Sequence, residues 1–357
     1  MTGFRSFFVR NRIARILCLA GMGWLLASCS GAPGPAPDVS PASGPKTMAG
    51  QQQTARFAGD VSDGYVETLP ALPKEGYFLK ALAPDVYFFS TGHYNTMFIV
   101  AERGVILVDP IRGAGGLIRK AIASVTPLPV RFMIYTSAGL DRIGDARLFT
   151  EGAQIVAHES AQALLSRYQD ANRPIPTMAF RQNYTLTYGG KSIELIYPGP
   201  GHGAGNTMLY LKQEKVLMLV GTGGPRSLPG TRFESVDLFG QVLGLQQASK
   251  LDFNAWLAGR GPRPGTPAEL KMLLQYYYDS RKADEMAMKR VRFQEAAGGT
   301  SSRDPLYIVQ RYHEAVAREC FNLLRPAWKP RMMGFEAFAL SHCSAWTDFH
   351  LTQKPPQ

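Results

Sequence analysis

The sequence predicts an α/β protein with two strand-rich halves, followed by a helical C-terminal region. Three observations lead there. Short apolar runs recur between tight turns from Val86 to Val220, helical spacing is interleaved among them, and from Pro267 onward the spacing becomes helical throughout. That order suits two sheets covered by helices on the outside, and it is shared by more than one α/β architecture.

The first half opens with Val86–Ser90 and Thr96–Ala101. The turn Glu102-Arg103-Gly104 then leads into Val105–Val108 and closes a hairpin. Gly113–Ser124 has helical spacing and no internal proline, and Val130–Thr136 reads as a buried strand. After it comes a loop, Ser137 to Arg142, and a helix expected to start near Gly144. Gln154–Ala157 continues as strand and Glu159–Arg167 as helix. The second half contains Tyr184–Tyr188, Ser192–Tyr197, Thr207–Leu211 and Val216–Val220, with Gly189-Gly190 as one of its turns, and ends on Trp256-Leu257-Ala258. Beyond it, Ala268–Ala296 forms one long helical segment. Asp304-Pro305 then supplies an N-cap and a first-turn proline to a helix running to about Leu324, which should stop before Pro326. On that helix Leu306, Val309, Tyr312, His313, Val316, Cys320 and Leu323 mark an apolar stripe.

Composition is that of a folded soluble protein, with 45% hydrophobic and 19% charged residues in 357. The formal charge is +11, but residues 1–28 hold four arginines and no acid, so the remainder carries +7. No Lys/Arg cluster is interleaved with aromatics, which argues against a nucleic-acid partner.

Arg5, Arg10, Arg12 and Arg15 precede the apolar run Ile16–Ala27, too short for a membrane span and followed by Leu26-Ala27-Ser28-Cys29. This resembles a bacterial lipobox, which implies a lipoprotein signal peptide over 1–28 and an acylated Cys29 that anchors the chain to a membrane. Ser30 in place of Asp implies the outer membrane, facing the periplasm. The other reading is simple secretion with an incidental cysteine. Residues 29–60 are rich in Pro, Gly and Ala and read as a disordered tether. Of the remaining cysteines, Cys320 and Cys343 form an even pair in an exported domain. They are either a disulfide, which would contribute about 3 kcal/mol on the chain-entropy model, or two buried thiols.

The hairpin Tyr94–Ile111, followed by Arg131–Phe149 (RFMIYTSAGLDRIGDARLF), resembles the metal-binding signature of the metallo-β-lactamase superfamily. The resemblance covers roughly residues 80–265 and implies a four-layer αβ/βα sandwich over 61–266, with 267–357 as a helical extension. It also implies seven zinc-ligand positions. In the loop of three His and one Asp, Ser137 and Gly139 stand at the first two His, Asp141 is retained, and Arg142 replaces the third His. His202 in the Gly-Pro-Gly-His turn is retained, Thr222 stands at the bridging Asp, and Arg260 in Gly-Arg-Gly replaces the last His.

Only Asp141 and His202 are possible metal ligands in that set, and an arginine keeps its charge and repels Zn²⁺. No bound cofactor is therefore expected, although zinc serves the family. A Ser137–His202–Asp141 relay is disfavoured, because no Gly-x-Ser-x-Gly elbow is present. Two readings of the altered site stay open. Arg142 and Arg260, with Ser137, Thr222 and His202, could bind a small anion, or the site could be self-neutralised and empty of ligand. Two functions stay open with them: a non-catalytic binding or accessory protein, and a hydrolase with a rebuilt one-metal or metal-free site. Of the remaining histidines, His93 is placed at the site's rim, His158 at a helix start and His313 in a helical core.

Overall fold

A computed structural model describes residues 64–68, 70–261, 263–298 and 303–353. The leader, the lipobox, the tether to residue 60 and the last four residues lie outside them. The described residues belong to one compact unit.

The first sheet has seven strands in sequence order: β1 (Phe78–Ala83), β2 (Val86–Ser90), β3 (Asn95–Ala101), β4 (Gly104–Val108), β5 (Val130–Ile134), β6 (Gln154–His158) and β7 (Met178–Phe180). β1 to β4 are antiparallel and β4 to β7 parallel. The parallel steps need crossovers, which α1 (Gly115–Ala123), α2 (Leu140–Ile143) and α3 (Glu159–Tyr168) supply. The second sheet has the order β12-β11-β10-β9-β8. Its strands are β8 (Tyr184–Tyr188), β9 (Lys191–Ile196), β10 (Met208–Leu211), β11 (Val216–Met218) and β12 (Ala255–Leu257).

Alternation along the strands builds three cores. In β3 and β4, Phe98, Val105 and Leu107 face the outer helices and pack with Ile118, Ala121 and Leu165. Their neighbours Met97, Ile99, Ile106 and Val108 face inward, against Leu195, Leu209, Leu211, Val216 and Met218 of the second sheet. With both faces covered, these strands read as continuous apolar runs. The second sheet's outer face, with Tyr210, Leu217 and Trp256, meets four helices: α4 (Leu238–Ala248), α5 (Pro267–Arg290), α7 (Pro305–Trp328) and α8 (Phe335–Thr352). The architecture is therefore a four-layer αβ/βα sandwich, with the C-terminal helices sharing the core of its second sheet.

Several local expectations differ. The helix after the key loop begins at Leu140 and not near Gly144, with Gly139, still extended, at its N-cap. Asp141 and Arg142 therefore ride on its first turn. The long helix breaks at Val291, where the backbone turns extended, and α6 (Phe293–Ala297) follows. α7 runs through Pro326 to Trp328, a ring 1% exposed whose indole N–H donates to Asp279. Burying that ring outweighs the hydrogen bond that Pro326 cannot make. Leu306 and Val309, on the expected apolar stripe, are exposed, because the body begins to cover α7 only near Val316. His313 is half-buried and pairs with Asp348 at 3.2 Å instead of lying in a core. Cys320 and Cys343 are joined in a disulfide between α7 and α8, with Cα atoms 5.8 Å apart. No helix among the described residues is long and apolar enough to cross a membrane.

Candidate functional site

The site lies where the ends of β3, β4, β5, β11 and β12 converge, and Asp109 is its foundation. This residue ends β4 in a left-handed conformation, with φ of 39°, and is fully buried. Its carboxylate accepts from the Thr136 amide at 2.7 Å and the Thr136 hydroxyl at 2.5 Å, which ties β4 to the loop after β5. Burial pushes the Asp109 carboxyl above the usual range, and Arg142, followed by Thr136, pulls the other way.

Arg142 reaches this carboxylate with two nitrogens, Nε at 3.0 Å and Nη2 at 2.9 Å. Nη2 also donates to the Asn95 carbonyl at 2.8 Å, and Nη1 donates to the Gly259 carbonyl at 2.9 Å. One guanidinium, 4% exposed, thus links the first sheet (Asn95, Asp109) to the loop after β12. Asn95 reinforces that seam: its amide N–H donates to Gly259 O and its side chain to the carbonyls of Ala258 and Gly261. Four of the five N–H donors of Arg142 are thus taken by the protein, which leaves little of the fork for a bound anion.

Arg260 is placed differently. Its guanidinium lies over the Tyr94 ring at 5.2 Å and pairs with Glu234 at 2.7 Å and Asp141 at 3.5 Å, with all three charged side chains between 30 and 43% exposed. Burial opposes its charge, but Glu234, with smaller contributions from Tyr94 and Asp141, raises its pKa above the ordinary value. Asp141 is half-exposed and served by Arg260, while Arg142 serves Asp109.

His202 Nδ1 lies 2.6 Å from the Glu234 carbonyl, and its ring packs against Gly221 so closely that a Cβ there would sit 2.2 Å from it. Gly221 also has φ of 76°, so two constraints select glycine. Glu234 ends a run of three non-glycine residues, Arg232, Phe233 and Glu234, all with φ between 49° and 60°. Phe233 is fully buried, stacked on His342 at 4.0 Å. His342 bonds the Tyr276 hydroxyl and the Gly230 carbonyl, and its burial lowers its pKa to about 4. This aromatic anchor holds the run in a conformation that side chains rarely adopt.

Asp141, Arg142, His202 and Arg260 line a common cavity of about 280 Å³, and His93 lies at its edge as expected. Ser137, Gly139 and Thr222 are not among its lining residues. Ser137 is buried and its hydroxyl accepts from the Gly139 amide, while the Thr222 hydroxyl is buried with no hydrogen-bond partner. The five-residue anion site expected from the sequence is therefore only partly brought together: Ser137 and Thr222 do not line the cavity, and Arg142 gives four of its five donors to the protein. The sequence reading missed Glu234, Tyr94, Asn95 and the wall formed by Leu228, Pro229, Met333 and Phe338. Glu234 carries no local signal, because it reaches Arg260 through a backbone conformation that its sequence does not announce.

The donor set does not fit zinc. Among the described residues no three His, Cys, Asp or Glu side chains are grouped to hold a metal ion. The two retained ligands are already engaged, Asp141 by Arg260 and His202 Nδ1 by a carbonyl.

Residues 90–219 match the sequence profile of the metallo-beta-lactamase superfamily. Over 142 residues the chain is 36% identical to the alpha subunit of 2,4-dinitroanisole O-demethylase from Nocardioides sp. (strain JS1661), covering 38% of this chain and 43% of that one. It is 24% identical over 179 residues to the beta subunit from the same organism, covering 49% of this chain and 52% of that one. The chain thus spans about half the length of the curated relatives it matches. Among solved structures, a metallo-beta-lactamase from Pontibacter korlensis superposes with a TM-score of 0.50 at 19% identity, over 56% of this chain and 99% of that one, a likeness of fold alone. Residues 90–219 thus carry the sequence profile of the metallo-β-lactamase superfamily, on a four-layer αβ/βα sandwich that is that superfamily's fold.

Proposed function

We propose that this protein is a non-hydrolytic member of its superfamily, a binding or accessory subunit that uses the former active-site cavity without zinc. The observation that carries this reading is the locked Arg142 guanidinium. It brings a permanent charge to the place of the third loop histidine and spends its donors on Asp109, Asn95 and Gly259. The family's two-metal chemistry relies on a metal-bound hydroxide and a metal-polarised oxygen, and the residues here supply ligands for neither. The similarity to the alpha and beta subunits of one enzyme supports an accessory role beside another chain of the same fold.

Metal analysis of protein purified without chelator, combined with an ester, thioester, phosphodiester and lactam hydrolysis screen, tests the proposal. Substoichiometric zinc and no turnover are expected. One zinc per chain together with turnover would establish the alternative, a hydrolase with a rebuilt site.

Export and lipidation belong to the same proposal. Leu26-Ala27-Ser28-Cys29 supports acylation at Cys29 and attachment to the outer membrane on its periplasmic side. Accumulation of the precursor under globomycin and an acylated N-terminal peptide by mass spectrometry are expected; an unmodified mature N-terminus would refute the anchor.

A further inference from the structure

We infer that the cavity at Arg260 selects an uncharged, single-ring aromatic ligand bearing an acceptor oxygen, of ether, carbonyl or nitro type, and discriminates against anions. This rests on the proposed non-hydrolytic reading and names the ligand class of the same site.

Charge is the first ground. Arg142 and Arg260 face three carboxylates: Asp109 behind the cavity wall, and Asp141 and Glu234 on it. Two guanidiniums against three carboxylates leave one negative charge in excess. An anionic ligand approaching Arg260 would have to displace Glu234, held at 2.7 Å, or sit beside it and Asp141. Like charges at such range repel, the more so because the guanidinium is partly withdrawn from solvent. A neutral acceptor meets no such cost. Arg260 has five N–H donors, and its two carboxylate partners leave directions open to a further oxygen.

The apolar part of the lining supplies the second ground. It is made by Leu228 and Pro229 on one loop and by Met333 and Phe338 from the segment that enters and begins α8. The two parts are fastened together. The Leu228 amide donates to the Met333 carbonyl at 3.0 Å, the Met333 amide to the Arg226 carbonyl at 2.7 Å, and Ser227 bridges Met333 in parallel. A flat ring between this wall and the Arg260 head would bury apolar area on one side and place an oxygen on the other. The cavity, at about 280 Å³, lies at the small end of the usual range for ligand pockets, roughly 300–1,000 Å³. That size suits one substituted ring. Leu228, Pro229, Met333 and Phe338 all lie outside the profile-matched residues 90–219, so the apolar half of the selectivity comes from beyond that region.

The test compares three probes of nearly equal size on the whole folded chain by calorimetry or ligand-observed NMR: 4-nitroanisole, 4-nitrobenzoate and 4-nitrobenzylamine. 4-Nitroanisole is expected to bind at least about ten-fold more tightly than 4-nitrobenzoate, a difference of about 1.4 kcal/mol. Glu234→Gln, which removes the excess charge while keeping the side-chain shape, should narrow that ratio. Phe338→Ala should weaken 4-nitroanisole about ten-fold. The inference is overturned if 4-nitroanisole does not bind, if either charged probe binds more tightly than it does, or if Glu234→Gln leaves the ratio unchanged. Zinc measured on the same samples separates the two claims. Stoichiometric zinc with the expected ranking would sink the non-hydrolytic reading and leave the ligand class standing. A wrong ranking on metal-free protein would sink the ligand class alone.

Discussion

The two arginines that line the cavity have different physical roles. Arg142 is a buried cross-link. Its guanidinium satisfies a carboxylate that is 0% exposed and two main-chain carbonyls, so removing it would strand all three in the interior. Breaking a buried ion pair from one side typically costs about 3–5 kcal/mol, far more than the pair contributes net, because the partner charge stays behind. Arg142→Ala is therefore expected to lower the unfolding free energy by about 3–5 kcal/mol in urea titration, and Asp109→Asn/Arg142→Met should recover much of it. A loss below about 1 kcal/mol would mean that the cross-link is not structural. Arg260 pairs with two half-exposed carboxylates, and Arg260→Ala should cost about 1 kcal/mol or less while weakening 4-nitroanisole binding through loss of its donor.

Among the elements, the run Arg232-Phe233-Glu234 stands out, since three successive left-handed residues are sustained by what surrounds them. Arg232 binds Ser344 and Asp348 on α8, Phe233 is fully buried among Tyr276, Tyr277, His342 and Trp346, and Glu234 binds Arg260. Phe233→Ala should lower stability by about 3–5 kcal/mol and raise amide exchange first at residues 230–235. Unchanged exchange there would show that the flanking ion pairs hold the run without the ring. The α7–α8 disulfide closes a 23-residue separation, and its reduction should cost about 3 kcal/mol on the chain-entropy model, read as a lower denaturation midpoint with reductant present.

At the scale of the molecule, the C-terminal helices bear on the site through His342, which binds the Gly230 carbonyl next to the strained run. Burial holds it neutral, lowering its pKa from 6.5 to about 4. The unfolded chain therefore takes up a proton at this residue below pH 6.5 that the folded chain refuses until about pH 4. Stability from this group is complete above pH 6.5 and declines as pH falls through that window, by on the order of 3 kcal/mol in all. Unfolding free energies measured between pH 4 and 7 should show this slope, and His342→Phe should flatten it. A slope identical in the variant would assign the dependence to other groups.

Much of the fold was legible, because a strand buried on both faces must be largely apolar, as Met97–Ala101 of β3 and Val105–Val108 of β4 are in the sequence. The altered metal positions were legible for a similar reason: residue type alone tells whether a side chain can ligate. Partnership was not. Nothing in the string RFMIYTSAGLDRI says that Arg142 turns inward to Asp109 while Asp141, one residue earlier, turns outward to Arg260. A one-residue step on a helix rotates the side chain by about 100°, and which direction is buried depends on where the loops after β4 and β12 come to rest. Glu234, Met333 and Phe338 were hidden for the same reason, since they reach the cavity from elements far along the chain. The amino-acid sequence by itself determined the two strand-rich halves, the helical C-terminal region and which side chains are able to ligate a metal. Only the tertiary structure decided that one arginine is consumed as a cross-link, that the other is left facing a cavity with an excess carboxylate, and that the cavity's apolar wall joins the Leu228-Pro229 loop to the segment entering α8. Those outcomes depend on distances between segments that no local pattern records.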